Sequence, residues 1–189
     1  MFEETDGAID ILVNNAGIAG PNGPLEELKL ADWEETLRVN LISTFLCSQR
    51  VLPLMKKQRK GSIVNLSSSA GIFGYPLRTP YASAKWGIVG LTKSLAMEVG
   101  DYGIRVNAIC PGAVSGPRMD RVISAEAETR NLDLETIREQ FVSQTSLKCF
   151  VEAKDIAQMA LFICSDRGSK ISGQALQVDG NTVSLAQSE

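Results

Sequence analysis

Four short apolar runs, Ile9–Val13, Ser62–Leu66, Arg105–Cys110 and Ala175–Val178, read as strands, and long helical patterns lie between them. From Asp32 to about Gln58, apolar residues recur at Trp33, Leu37, Leu41, Phe45, Leu46, Leu52 and Met55, close to a 3.6-residue period. Pro80 to Val99 repeats the pattern through Ile88, Leu91, Leu95 and Ala96, and Gly100 or Gly103 supplies a stop. Ala153 to Cys164 gives a third helix through Ile156, Ala160, Leu161 and Ile163. Strands alternating with helices imply right-handed crossovers and a parallel sheet covered on both faces. The fold class is therefore α/β. With 189 residues, no internal repeat and no Pro/Gly-rich linker, the chain reads as a single domain.

The first strand raises a difficulty. Ile9-Asp10-Ile11-Leu12-Val13 is almost continuously apolar, the pattern of a strand buried on both faces. Only eight residues precede it. As the first of four strands it would be an edge, with unpaired backbone groups on an apolar strand. The expectation is that another chain covers it or that an N-terminal part of the sheet is missing. No G-x-G-x-x-G phosphate turn occurs either, although one is expected in the first βα turn of a dinucleotide fold.

The sequence contains no histidine. That removes Ser-His-Asp and Cys-His catalysis and every His-ligated metal site, and no metal site is expected. Acid/base chemistry near neutral pH must come from a carboxylate, Lys, Tyr or Cys. A net charge of −3, from 19 basic and 22 acidic side chains, argues against nucleic-acid or acidic-membrane partners. There is no run of 18 apolar residues, and the opening Met1-Phe2-Glu3-Glu4-Thr5-Asp6 is acidic and unlike a secretory signal. A soluble, cytoplasmic protein is expected. Cys47, Cys110, Cys149 and Cys164 form no C-x-x-C pair, and Cys110 and Cys164 sit in apolar runs that read as core.

Tyr81-Ala-Ser-Ala-Lys85 opens the second long helix, and residues i and i+4 share a helical face. With Thr79 as N-cap and Pro80 as first helical residue, Tyr81 falls in the first turn, where the helix dipole and Lys85 both favour phenolate. Alone, Y-x-x-x-K arises often by chance. Thirteen residues upstream, Ser68 lies in Val64-Asn-Leu-Ser-Ser-Ser69, leaving the C-terminal end of a strand, where ligands bind in open α/β sheets. Its hydroxyl is placed to hydrogen-bond a carbonyl or alkoxide oxygen. Asn14-Asn15-Ala16-Gly17 follows the first strand and Cys110-Pro111-Gly112 the third, so three strand ends with polar or Gly-rich turns make one rim.

Together these motifs resemble the short-chain dehydrogenase/reductase family. The resemblance covers essentially the whole chain, through Asn14–Gly17, Asn40 in Arg38-Val-Asn-Leu41, Ser68, Tyr81-x-x-x-Lys85, Asn107-Ala-Ile-Cys-Pro-Gly112 and Ile171–Gly180. It implies a Rossmann-like doubly wound parallel sheet, here its C-terminal portion with about four strands and flanking helices. It implies NAD or NADP as cofactor, and a secondary alcohol or the matching ketone as substrate, as in 3-oxoacyl carrier-protein reductases. Tyr81 would be the general acid/base. Lys85 would lower its pKa and bond the nicotinamide ribose, Ser68 would orient the substrate oxygen, and Asn40 would hold a water of the proton relay. Asn14, Ala16 and Gly17 would border the cofactor, with Asn15 tying strands together. Pro111, Gly112 and Val114 would flank the nicotinamide.

The family's Thr-Gly-x-x-x-Gly-x-Gly turn is absent from the sequence. The resemblance therefore implies an N-terminally truncated member, residues 1–189 being one partial domain without the adenosine and pyrophosphate sites. A fragment acting only through subunit assembly is the alternative, since the family's helices that carry Asn40 and Tyr81 commonly make dimer or tetramer contacts. Gly116 stands where the family often has Thr. Residues 118–150 fall where the family places a substrate lid. There Arg118 and Arg121 could meet a carboxylate or phosphate, although a solvated amphipathic helix is the preferred reading. Lys56-Lys57-Gln58-Arg59-Lys60 reads as a helix C-terminus complementing its dipole.

Overall fold

The computed structural model describes residues 8–185. The acidic opening, residues 1–6, lies outside the described residues. Strands β1 (Ile11–Asn14), β2 (Gly61–Leu66), β3 (Ile104–Pro111) and β4 (Ala175–Val178) form one sheet in the order β1-β2-β3-β4, parallel throughout. Its helices are α1 (Leu30–Leu37), α2 (Ser43–Gln58), α3 (Thr79–Val99), α4 (Pro117–Arg130), α5 (Leu134–Ser143) and α6 (Ala153–Cys164). This is the expected α/β arrangement with a Rossmann-like parallel sheet. No helix of the described residues is long and apolar enough to cross a membrane.

Strand parity separates two cores. Ile63, Ile104 and Val106 face α2 and α3, where they pack against Val51, Met55, Leu95 and Val99. Val64 and Ile109 face the other side and pack against Ile163, Ile156 and Met159 of α6. The first two crossovers thus pass over one face and the third over the other, while the strand order keeps advancing in one direction. The third crossover is consequently of opposite hand to the first two, which corrects the expectation of uniformly right-handed connections. The usual preference arises when a twisted strand feeds its helix directly. Here the whole segment from Gly112 to Glu152, with α4 and α5, intervenes before α6 begins.

β1 is also not buried on both faces. Leu12 packs into the α2/α3 core, but Ile11 and Val13 on the opposite face are 50% and 46% exposed. α6 covers β2 to β4 and stops short of this edge. The strand starts at Ile11 rather than Ile9 because the Gln58 side-chain amide, not a strand, pairs Ile9: Ile9 N donates to Gln58 Oε1 at 3.0 Å and Gln58 Nε2 donates to Ile9 O at 3.2 Å.

The long helix predicted from Asp32 to Gln58 is one continuous rod from Leu30, but Arg38–Ile42 is wound as a π-helix between α1 and α2. Thr36, Asn40, Thr44 and Ser48, spaced four apart, are all buried. A spacing of four drifts around an ordinary α-helix, and the wider π turn holds these positions on one side. Arg59, in the left-handed region at φ 54°, ends the rod, with Lys56 and Lys57 in its last turn as the charge pattern suggests.

A buried polar chain links sheet to helices. Asn14 Nδ2 donates to Asn65 Oδ1 at 2.8 Å and to Ser48 Oγ at 3.2 Å, and Asn65 Nδ2 donates to Thr92 Oγ1 at 2.9 Å. Asn14, rather than the exposed Asn15, is therefore the residue that ties strands together. Asn65→Ala leaves Asn14 and Thr92 without their shared partner, and urea unfolding should show a loss of about 2 kcal/mol. All four cysteines are free. Cys110 is buried as expected, whereas Cys164 is only half-buried.

Candidate active site

Because every strand is parallel, Asn14, Leu66 and Pro111 all end at the same rim of the sheet. α3 starts there. Its N-cap is Arg78 and Thr79 is already helical, one residue earlier than the sequence suggests, because Ala82 N donates to Arg78 O at 2.9 Å. Tyr81 remains in the first turn. Lys85, one turn on, places Nζ 5.5 Å from the centroid of the Tyr81 ring.

Lys85 is 5% exposed, and its ammonium donates to the Leu66 carbonyl at 2.8 Å. Burial, aided by the nearby Arg118 guanidinium, pulls its pKa from 10.5 down to about 8. Cys110 lies close by, and burial pushes its thiol up to about 11, so it stays protonated and takes no part as a base at neutral pH.

The three serines after β2 divide by their surroundings. Ser67 is buried and donates to the Lys85 carbonyl at 2.8 Å, which ties the strand end to α3. Ser69 is buried as well. Ser68 alone is half-exposed, and its Oγ accepts from Ala70 N at 3.2 Å, so its proton remains available to a ligand.

Asn40 is fully buried in the π turn. Its Oδ1 accepts from Ile18 N at 2.8 Å and its Nδ2 donates to Ile18 O at 3.0 Å, so this side chain clamps the turn that follows β1. Gly17 is pressed against the clamp: a Cβ there would lie 2.6 Å from Asn40 Oδ1 and 3.7 Å from Lys85 Nζ. Ala16 is exposed on the same turn.

On the far side of the rim, Gly112 donates its N–H to Val178 O at 3.1 Å, and a Cβ at Gly112 would come 2.8 Å from Asp179 Cα. Glycine is needed there for backbone approach, whatever else Pro111 and Gly112 contact. Val114 pairs with Val151 in an isolated bridge that anchors the start of the following segment. Gly116 has φ 130°, a conformation that a threonine adopts only under strain.

The segment predicted as a lid is a helical pair, α4 and α5, with its own small core of Ile123, Ala127 and Ile137. Arg121 is exposed without a partner among the described residues, as a solvated helix predicts. Arg118 is different, since its Nη1 lies 3.5 Å from Gly17 O and its charge is felt at Lys85. Arg118 is solvent-exposed, as the solvated reading expects, and lies close enough to the rim to reach the Gly17 carbonyl. The sequence reading also passes over Arg78 and Tyr75, whose side chains stack beside Tyr81. Burial raises the Tyr75 phenol to about 12, so it remains protonated.

The family model described as Enoyl-(Acyl carrier protein) reductase matches residues 1–181. The chain is 41% identical over 177 residues to the 3-oxoacyl-(acyl-carrier-protein) reductase FabG of Thermotoga maritima, covering 94% of this chain and 67% of that protein. Among solved structures it is similar to an NAD+-bound xylitol dehydrogenase, with TM-score 0.90 and 28% identity over 94% of this chain and 70% of the other. It is also similar to a variant of actinorhodin polyketide ketoreductase with NADPH, with TM-score 0.88 and 31% identity over 94% and 68%.

Proposed function

Because the chain belongs to the short-chain dehydrogenase/reductase family, we propose that it acts as an NAD(P)-dependent oxidoreductase interconverting a secondary alcohol and its ketone, in the manner of a 3-oxoacyl carrier-protein reductase. The observation that carries this reading is the grouping of a half-exposed Ser68 hydroxyl, the Tyr81 phenol and the buried Lys85 ammonium at one rim of the sheet.

Bound nicotinamide would supply the hydride carrier, as it does generally in such enzymes. The residues fit its ribose side: Gly17 presents no side chain toward Lys85, and Lys85 Nζ retains donors beyond its bond to Leu66 O. Asn14, Ala16, Gly17, Pro111, Gly112 and Val114 would border it, with Tyr81 and Lys85. Ser68 and Tyr81 hold the substrate oxygen by hydrogen bonds that strengthen as charge develops there. The Tyr81 phenol gives its proton to that oxygen in reduction and takes it back in oxidation. Lys85 stabilises the phenolate left behind, and Asn40 keeps the turn after β1 in place and would hold a water of the proton relay.

The test is a titration with NADH and NADPH followed by nicotinamide fluorescence, with nicotinamide mononucleotide as a third ligand. Saturable binding supports the reading, and a lack of binding by all three sinks it. Since the sequence carries no glycine-rich phosphate turn, the chain's own contacts are proposed to lie on the nicotinamide half, and similar affinities for mononucleotide and dinucleotide would support that. Ile42, Phe45, Leu46 and Trp86, exposed on the helices that carry Asn40 and Tyr81, support self-association as a dimer or tetramer.

A further inference from the structure

Arg78 lies three residues before Tyr81. Its guanidinium carbon is 6.0 Å from the centroid of the Tyr81 ring and 5.9 Å from that of Tyr75. Nε of Arg78 is buried and has no hydrogen-bond partner among the described residues, and the adjacent Thr79 Oγ1 is in the same condition. Buried donors without an acceptor are rare, and two in succession beside Tyr81 leave the Arg78 guanidinium without a fixed protein acceptor. No described acid pairs with Arg78. Glu126, whose charge reaches Tyr75, is engaged by Arg130 at 3.2 Å.

A second cation stands at the same rim. Arg118 is held only by a long contact to Gly17 O and has no acidic partner among the described residues. Its charge opposes that of Lys85. Two guanidinium groups without an acidic partner among the described residues, Arg78 beside Tyr81 and Arg118 near Lys85, make this rim favourable for an anion.

We infer that Arg78, assisted by Arg118, binds an oxyanion on the substrate, so that the alcohol or ketone turned over here carries a carboxylate or phosphate within a few bonds of the reacting carbon. This inference rests on the oxidoreductase reading of Ser68, Tyr81 and Lys85. The guanidinium fork matches either oxyanion in a two-pronged way that a lysine ammonium does not reproduce.

The experiment compares the wild type with Arg78→Gln and Arg78→Lys on two matched pairs, 3-oxobutanoate against its methyl ester and dihydroxyacetone phosphate against dihydroxyacetone. The pair that shows the larger preference for its anionic member identifies carboxylate or phosphate as the head group. In Arg78→Gln the kcat/KM preference for that anion over its neutral partner should fall about 50-fold, mainly through KM, with Arg78→Lys in between. Calorimetric titration of the same proteins with the two anions reads binding without turnover, and thermal melting of Arg78→Lys, which keeps the charge over both rings, separates anion binding from stacking. Turnover of the neutral partners with no anion preference overturns the inference and leaves the oxidoreductase reading standing. Arg78-dependent anion binding without any turnover overturns the oxidoreductase reading, and with it the inference that the anion belongs to a substrate. Neither binding nor turnover overturns both.

Discussion

Tyr81→Phe should lower turnover by about a thousandfold while the protein melts where the wild type does. Loss of a positioned proton donor typically costs between roughly a hundredfold and ten-thousandfold, and three decades correspond to about 4 kcal/mol of barrier. The substitution deletes one oxygen and leaves the ring, so the cation contacts from Arg78 and Lys85 survive. No hydrogen bond from the phenol to a described residue is broken, which is why little stability is at stake. Steady-state rates and a melting curve on the same preparation check both halves. A variant with unchanged kcat would remove Tyr81 from the chemistry, and a variant that fails to fold would show that the phenol has a structural partner.

The second large effect has the opposite sign for stability. Lys85 is buried, and its pKa falls from 10.5 to about 8. Below pH 8 the folded protein therefore holds a charge that the unfolded chain solvates better, at a cost of about 3 kcal/mol. Lys85→Met removes that cost and sacrifices the bond to Leu66 O, worth about 1 kcal/mol. The variant should thus be about 2 kcal/mol more stable than the wild type at pH 7 and inactive. Between pH 8 and 10.5 the wild-type lysine is neutral when folded but still protonated when unfolded, so wild-type stability rises with pH across that window. The advantage of the variant should shrink accordingly and vanish by about pH 10. Urea midpoints for both proteins at about pH 7 and about pH 9.5 measure it. A gap that stays constant with pH would mean that the ammonium is solvated in the native state.

Such a cost at a proposed site residue illustrates which features are legible in the sequence. α6 matches its predicted bounds because a dense apolar stripe is flanked by clear ends, with the Asp155 carboxylate accepting the Glu152 N–H at 2.8 Å at its start. β4 matches for similar reasons. The choice of Ser68 rests on chain distance to Tyr81, since the parity of β2 turns Asn65 and Ser67 toward α3. Parity would also have separated Asn14 from Asn15, since Leu12 and Asn14 share the face of β1 that meets α2. Other features depend on contacts remote in sequence. The late start of β1 follows from Gln58, and the hand of the third crossover follows from the route taken by α4 and α5. The contrast between Arg118 and Arg121, two cations on one helix, arises from that same route, which local charge patterning does not record. Arg78 leaves no mark in the sequence because an arginine before a helix has no signature until the rings beside it are seen.

The π turn at Arg38–Ile42 has a consequence for how this chain responds to selection. A π turn amounts to an α-helix with one residue too many, so the simplest repair is a deletion. Loss of one residue there would let an unbroken α-helix run from Leu30 to Gln58 with shorter backbone bonds. It would also swing Asn40 by about 100° away from Ile18 and release the turn beside Lys85. The same rotation would turn either Thr36 or Val51 and Met55 out of their buried places, so a screen for heat resistance and a screen for turnover should both keep the length of this stretch.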